Sequence, residues 1–134
     1  MNNEKYYYTW EEFDKDIEVL AQSIKFTPEL IIGIARGGLV PGVALSHKLK
    51  VPFNSITWQD RDGGIKEKVF IPDHTLVVDD INDTGLTFQA VTSGFNTKFQ
   101  TLSLWERKFS KFTVDFTARR CDTEWIVFPW EEDE

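Results

Sequence analysis

The stretch TLVVDDINDTGLTF (residues 75–88) gives the clearest indication of the fold. It begins with an unbroken apolar run, which is typical of a strand buried on both faces of a parallel sheet. Three acids follow at Asp79, Asp80 and Asp83, together with the polar sequence TGLT (84–87). Carboxylates so close together repel one another, and a simple turn does not need three of them. The segment therefore predicts a strand whose carboxyl end carries a binding site.

The flanking sequence alternates between helices and strands. Because continuously apolar strands are separated by helices, we predict an α/β fold, a single-domain parallel twisted sheet flanked by helices. The first helix is supported by a capping box at Thr9 and Glu12, and the third by a cap near Asp83 or Thr84. Ligands of open α/β sheets bind beyond the carboxyl ends of the strands. Helices are predicted over residues 9–26, 40–49 and 84 to about 95, and strands over 30–35, 51–58, 74–80 and 101–105.

Composition narrows the class of protein. The chain has 134 residues, 41% hydrophobic and 14% aromatic, which suits one globular domain over residues 1–134. No apolar run approaches the ~20 residues that cross a bilayer, and no signal peptide is recognisable, so we expect a cytoplasmic protein without a membrane partner. A net charge of −7 argues against a nucleic-acid partner, although four of the acids lie in EEDE (131–134). The single cysteine, Cys121, is expected to be a small buried side chain.

Three interpretations compete for the acidic turn. A solvated helix cap accounts for one carboxylate, near the positive end of the following helix, and leaves two unexplained. A calcium-binding loop matches DINDTG (80–85), but its twelfth position requires a bidentate Glu and is Val91 here. The third interpretation is a site for a phosphorylated sugar.

In that third interpretation the turn holds both ends of a ribose 5-phosphate. Thr84, Gly85 and Thr87 offer hydroxyls and a permissive backbone at a helix N-terminus, where N–H groups and the helix dipole favour a phosphate. Asp79 and Asp80 can accept hydrogen bonds from vicinal ribose hydroxyls or hold Mg²⁺. On this interpretation one loop binds both ends of a ribose 5-phosphate, and the solvated helix cap stays open as the alternative.

Two segments carry a family resemblance. LVVDDINDTGLT (76–87) resembles the signature of the type I phosphoribosyltransferases, which binds phosphoribosyl pyrophosphate and would include Leu86 in its phosphate-binding turn. GIARGGLVPG (33–42) is similar to the pyrophosphate loop of the same family. In that loop the resemblance assigns pyrophosphate contacts to a set of three residues. Arg36 supplies a fixed cation, and the backbone N–H groups of Gly37 and Gly38 approach the phosphate oxygens closely.

Both ends of the chain resemble the 6-oxopurine branch of the family, in particular the short xanthine-guanine phosphoribosyltransferases. KYYYTW (5–10) is similar to their opening, and TEWIVFPW (123–130) is similar to their purine-contacting segment, which forms a small C-terminal hood. The resemblance implies that Trp125 stacks on the base, with core packing as the alternative interpretation. It also implies that main-chain groups at Ile126 read the 2-substituent of the purine.

The resemblance implies a reaction in which ribose 5-phosphate passes from phosphoribosyl pyrophosphate to a purine nitrogen and pyrophosphate is released. Asp80 would hold Mg²⁺, and Asp83 would act as general base. A family lysine after the fourth core strand contacts the purine 6-oxygen, and its position here is open between Arg107 and Lys108. The segment QDRDGGIKEK (59–68) would close over the reaction.

Two other functions stay open from the sequence. One is a non-catalytic regulator that senses nucleotides on the same fold, and the other is a phosphoribosyltransferase for adenine, orotate or uracil. The expected partners of the enzyme are phosphoribosyl pyrophosphate and guanine, xanthine or hypoxanthine. The expected assembly is a homodimer or homotetramer, as is common in the family.

Overall fold

The computed structural model describes residues 4–57, 70–93 and 97–132. Trp58 and the predicted closing segment, residues 59–68, lie outside these ranges, so the prediction of a closing loop stays a prediction. In chain order the elements are β1 (Lys5–Tyr7), α1 (Trp10–Ser23), β2 (Leu30–Ala35), α2 (Leu39–Leu49), β3 (Phe53–Thr57), β4 (Thr75–Asn82), α3 (Leu86–Thr92), β5 (Phe99–Arg107), β6 (Phe116–Cys121) and β7 (Trp125–Val127).

Five of the strands form one parallel sheet in the order β3-β2-β4-β5-β6. The central strand is β4, and its first four residues, 75–78, are completely buried, as the unbroken apolar run predicts. Because all five strands run in the same direction, the carboxyl ends of β2, β4 and β5 meet at one edge of the sheet. The predicted α/β fold is confirmed, and both sequence motifs lie at this edge.

Helices cover both faces of the sheet. Leu76 and Val78 pack in the cluster that contains α1 and α2, whereas Val77 packs with α3, as alternation along a strand requires. The capping box of α1 is present: Glu12 N donates to Thr9 Oγ1 at 3.0 Å, and Thr9 N donates to Glu12 Oε1 at 3.0 Å. No described helix is both long and apolar enough to cross a membrane.

The third helix starts later than predicted. It begins at Leu86, and its N-cap is Gly85 rather than Asp83 or Thr84, so the predicted cap is wrong. The reason is the left-handed backbone of Gly85, whose φ of 97° belongs to the turn and not to the helix. Thr84 has a smaller part, because its Oγ1 accepts a 3.3 Å hydrogen bond from Leu86 N.

Three strands were not predicted as strands. β6 continues the main sheet after a connection over residues 108–115 that contains no helix. β1 and β7 pair in parallel as a separate two-stranded sheet, with Lys5 opposite Trp125 and Tyr6 opposite Ile126. This pair corresponds to the predicted C-terminal hood, and we call it the hood. The hood joins the start of the described chain to its last strand.

Candidate active site at the carboxyl edge of the sheet

The glycine loop after β2 lies directly against the acidic turn after β4. A Cβ atom added to Gly37 would collide with the carboxylate of Asp80, so no side chain fits at that position without displacing the acid. The loop starts with a cis peptide between Ala35 and Arg36, and the Arg36 side chain is exposed. Gly38 is buried behind it, and its N–H donates to the Ile34 carbonyl at 2.8 Å. The two motifs therefore form one site.

Asp79 and Asp80 are half-buried and carry unbalanced negative charge. Asp80 N donates to Asp79 Oδ1 at 2.8 Å, and Ile81 N donates to Asp80 Oδ1 at 2.7 Å. In the described ranges neither carboxylate forms an ion pair with a basic side chain. Burial raises the pKa of Asp79 well above its usual range, and the charge of Asp80 raises it further. Burial also raises the pKa of Asp80, to about 6, and the nearby charge of Glu131 acts in the same direction.

This pair of carboxylates suits a magnesium ion. Within residues 4–57, 70–93 and 97–132, no group of three or more His, Cys, Asp and Glu side chains could hold a metal by itself. Mg²⁺ does not need such a cage, because it usually keeps several waters and takes one or two protein carboxylates together with substrate phosphates. Asp79 and Asp80 provide two neighbouring carboxylates without a paired cation in the described ranges. This arrangement fits that requirement.

The turn after β4 is held from behind by the connection between β5 and β6. Lys111 N donates to the Thr84 carbonyl at 3.0 Å. A Cβ atom on Gly85 would lie 2.6 Å from Phe112 N, so this position also requires glycine. Leu86 is exposed and Thr87 half-buried at the start of α3. The first turn of a helix leaves N–H groups without intrahelical acceptors, which makes residues 84–87 suitable for binding an anion.

Arg107 connects Asp83 to the turn that precedes β7. The guanidinium is buried, with 7% of the side chain exposed, and its Nε donates to Asp83 Oδ1 at 3.0 Å. Its Nη1 donates to the carbonyls of Asp122 at 2.8 Å and Glu124 at 2.6 Å. Lys108 differs, because its side chain is exposed while its main-chain N–H donates to the Cys121 carbonyl at 2.9 Å. Cys121 is buried, as predicted.

The hood presents an aromatic ring to solvent. Trp125 is 56% exposed, so the alternative that it packs in the core is wrong. Its main-chain N–H donates to the Glu4 carbonyl at 2.8 Å, which fixes the backbone from which the ring projects. Ile126 is buried next to it. An exposed indole on a fixed strand is suited to stacking against a flat ring.

Glu106 is a buried acid that sequence reasoning did not single out. Its Oε2 accepts hydrogen bonds from Asn82 Nδ2 at 2.8 Å and from Val114 N at 2.9 Å, and its Oε1 lies 3.4 Å from Arg120 Nη2. Asn82 is thus a structural residue, in keeping with the rejection of a calcium loop. A cavity of about 180 Å³ adjoins this cluster, lined by residues 106–108, 110, 112, 113 and 120. An acid inside an apolar strand was the only available signal.

Arg119 was also missed. It pairs with Asp16 of α1 and lies against the hood. The acids Glu12 and Asp16 lie four residues apart on α1, beside its buried positions Phe13 and Ile17, and such acids need a cation from elsewhere in the fold. The spacing of these two acids was a sequence signal for an ion pair, but the sequence does not identify which basic residue forms it.

Comparison with known proteins gives consistent relatives. Residues 4–134 match the phosphoribosyl transferase domain family. A xanthine-guanine phosphoribosyltransferase of Nitratidesulfovibrio vulgaris is 28% identical, over 93% of this chain and 83% of the relative. The crystal structure of a purine phosphoribosyltransferase from Pyrococcus horikoshii is similar with a TM-score of 0.87 and 33% identity, over 97% of this chain and 96% of that one. A xanthine-guanine-hypoxanthine phosphoribosyltransferase of Helicobacter pylori gives a TM-score of 0.83 and 27% identity, over 95% and 93% of the two chains.

Proposed function

The chain belongs to the phosphoribosyl transferase family, and on that premise we propose that it transfers ribose 5-phosphate from phosphoribosyl pyrophosphate to guanine, xanthine or hypoxanthine in purine salvage. The observation that carries the proposal is the contact between Gly37 and the carboxylate of Asp80. It brings a loop suited to pyrophosphate against a turn suited to ribose 5-phosphate, and the bond that breaks in this reaction joins those two groups.

The chemistry requires charge stabilisation on both sides of the breaking bond. The bond from the sugar C1 to a pyrophosphate oxygen breaks, a bond from C1 to a purine nitrogen forms, and the sugar passes through an oxocarbenium-like state. Arg36 and the backbone N–H group of Gly37 receive the departing polyanion, whereas the N–H group of Gly38 is already bonded to the Ile34 carbonyl. Asp83 accepts the proton that leaves the purine, in the general-base role.

Asp79 and Asp80 bind the ribose end of the substrate. Their oxygens accept hydrogen bonds from the ribose hydroxyls, and Asp80 is the residue that would hold Mg²⁺. When bound, Mg²⁺ supplies positive charge to the pyrophosphate oxygens and ribose hydroxyls. The 5-phosphate binds at Thr84, Gly85, Leu86 and Thr87, where a hydroxyl-bearing turn meets the N-terminus of α3.

The hood and the end of β5 bind the acceptor base. Trp125 stacks on the purine, and the backbone at Ile126 reads its 2-substituent. A cation near the 6-position favours a 6-oxo acceptor over the 6-amino donor of adenine. Lys108 is favoured for this contact by its exposure, and Arg107 is favoured by its hydrogen bond to Asp83.

We also propose that the enzyme acts in the cytoplasm as a homodimer or homotetramer. A phosphorylated sugar is too polar to cross a bilayer unaided, so the enzyme and its substrate share a compartment. Trp10, Phe70 and Phe109 are exposed aromatic residues that could be covered by a second copy of the chain. The molar mass in solution, measured by light scattering, tests the assembly.

Pyrophosphate release tests the reaction itself. The purified chain is incubated with phosphoribosyl pyrophosphate, Mg²⁺ and one base at a time: guanine, xanthine, hypoxanthine, adenine, orotate or uracil. We expect release with the 6-oxopurines and background release with the others and without a base. Release with adenine, orotate or uracil instead would contradict the proposed substrate. Nucleotide binding without release for any base would identify a regulator.

A further inference from the structure

A cluster of aromatic and charged side chains fastens the hood to the main sheet. Its centre is Arg119, which projects from the edge strand β6. We call this group the Arg119 cluster, and its members come from four separate elements and the residue after β1. They are Tyr6, Tyr8, Glu12, Asp16, Trp105 and Arg119.

Arg119 makes contacts in several directions. Its Nε donates to Asp16 Oδ2 at 2.7 Å, and its Nη1 donates to Tyr6 Oη at 3.3 Å and lies 3.5 Å from Glu12 Oε2. The guanidinium carbon lies 5.4 Å from the centre of the Tyr8 ring. Burial by itself lowers the pKa of Arg119, but the hydrogen bond and charge of Asp16 outweigh it, so the net shift is upward. Arg119 therefore pairs with two acids of α1 and also packs against the ring of Tyr8.

The two tyrosines extend this contact to the hood. Tyr6 Oη donates to Glu12 Oε2 at 2.5 Å, and Tyr8 Oη donates to Asp16 Oδ2 at 2.5 Å. Both rings also pack on Trp105 of β5, with ring centres 5.3 Å and 5.5 Å away. Because Tyr6 belongs to β1 and Tyr8 follows it directly, the acids of α1 and Arg119 hold the chain both within β1 and immediately after it.

The strand held in this way, β1, is the pairing partner of β7, the strand that carries Trp125. Lys5 pairs with Trp125 in the hood, Trp125 N donates to the Glu4 carbonyl at 2.8 Å, and Tyr8 N donates to the Val127 carbonyl at 2.9 Å. β7 has no other strand partner in the described ranges. The position of the Trp125 backbone therefore depends on the position of β1.

We propose that Arg119 is a positioning residue for the acceptor base, which acts through β1 to hold Trp125 and Ile126 in place without touching the substrate. This inference rests on the proposed function and deepens it. The phosphoribosyl pyrophosphate side of the site, at the ends of β2 and β4, does not depend on the cluster. Loss of Arg119 thus weakens binding of the base selectively.

The test compares Arg119→Met with Arg119→Lys and a control, Lys48→Met. Lys48 also pairs with α1, through Glu18 at 2.6 Å, but both of these side chains are about half exposed and lie away from the hood. We expect Arg119→Met to raise the KM for the base about tenfold or more, as loss of charge-assisted hydrogen bonds implies, and to change the KM for phosphoribosyl pyrophosphate little. Lysine should restore part of the loss, because an ammonium reaches Asp16 but does not span to Tyr6.

Amide hydrogen exchange gives a readout that needs no turnover. In Arg119→Met, the amides of residues 5–8 and 125–127 should exchange about tenfold faster than in the wild type, while those of β4 keep their protection. Faster exchange in the hood with an unchanged KM for the base would overturn the positioning role. Equal rises in both KM values, or the same effects in Lys48→Met, would also overturn it.

The failures of the two proposals are distinguishable. A wild-type chain without turnover on any base contradicts the proposed function, and unchanged hood exchange in Arg119→Met then separately contradicts the role of the cluster. If Arg119→Met does not fold, Arg119→Lys and Tyr6→Phe provide the same two readouts. A KM for the base equal to wild type in both of those variants would count against the proposal.

Discussion

Replacing Asp80 with Asn should stabilise the ligand-free protein at neutral pH. The pKa of Asp80 is raised from 3.8 to about 6, chiefly by burial, so the folded state holds this proton more tightly than the unfolded chain does. At about 1.36 kcal/mol for each pKa unit, the ionised carboxylate lowers the free energy of unfolding by about 3 kcal/mol above pH 6. Asparagine removes the charge and keeps an oxygen that can accept the hydrogen bond from Ile81 N.

The direction of the Asp80 pKa shift determines the pH range in which Asp80→Asn stabilises the protein. Below about pH 3 the carboxyl group is largely protonated in both states and costs nothing. Between pH 4 and pH 6 the unfolded chain ionises first, so the wild type loses stability as the pH rises, and above pH 6 the full cost is present. The gain of Asp80→Asn is therefore expected near pH 7.5 and should be small at pH 4.0.

Urea denaturation with a chelator, at pH 7.5 and pH 4.0, measures this difference. Asp83→Asn is the matched control, since it removes an exposed carboxylate of the same turn that is paired with Arg107 and should give no gain at either pH. Equal stability of wild type and Asp80→Asn at pH 7.5, or an equal gain at both pH values, would refute the reasoning. The same substitution should abolish magnesium-dependent binding of phosphoribosyl pyrophosphate, so stability and function oppose each other here.

Three further substitutions test the remaining parts of the site. Asp83→Asn should leave binding of phosphoribosyl pyrophosphate nearly intact and reduce turnover by about two orders of magnitude or more, the scale of general acid–base catalysis; turnover within a few-fold of wild type in steady-state assays would argue against the general base. Arg36→Ala should weaken pyrophosphate binding in calorimetry with the thermal unfolding curve retained, and an unchanged affinity would count against the pyrophosphate loop. Gly37→Ala forces a methyl group against Asp80 and should weaken binding of phosphoribosyl pyrophosphate about fivefold or more, since overpacking costs about 1–3 kcal/mol; wild-type affinity would show that the loop or the Asp80 side chain can move aside.

The central sheet and its site edge could be predicted because their signals are local. The apolar run before Asp79 marks a buried strand, and the Thr9–Glu12 pair marks the start of α1, where the structure has the predicted capping box. Parallel strand direction then brings the glycine loop and the acidic turn to the same edge without any knowledge of tertiary contacts.

The hood and the buried ionic contacts could not be predicted in the same way. β1 and β7 are three residues each, too short to show a periodicity, and each is a strand only because the other pairs with it. The role of Arg107 depends on carbonyls of residues 122 and 124, which lie in the turn between β6 and β7 and reach Arg107 only because β6 pairs with β5. The start of α3 at Leu86 was missed because the left-handed turn at Gly85 overrides the capping preference of Asp83 and Thr84.

The pairing of β1 with β7 has a consequence for how the enzyme is made. The two strands lie at opposite ends of the described chain, so closing them requires ordering the whole polypeptide between them, whereas β2 to β5 join through near neighbours in sequence. On the proposed function, the surface that receives the base therefore forms only when the two ends of the described chain have come together, and a fusion or cleavage near β1 would alter the choice of acceptor before it altered the binding of the donor.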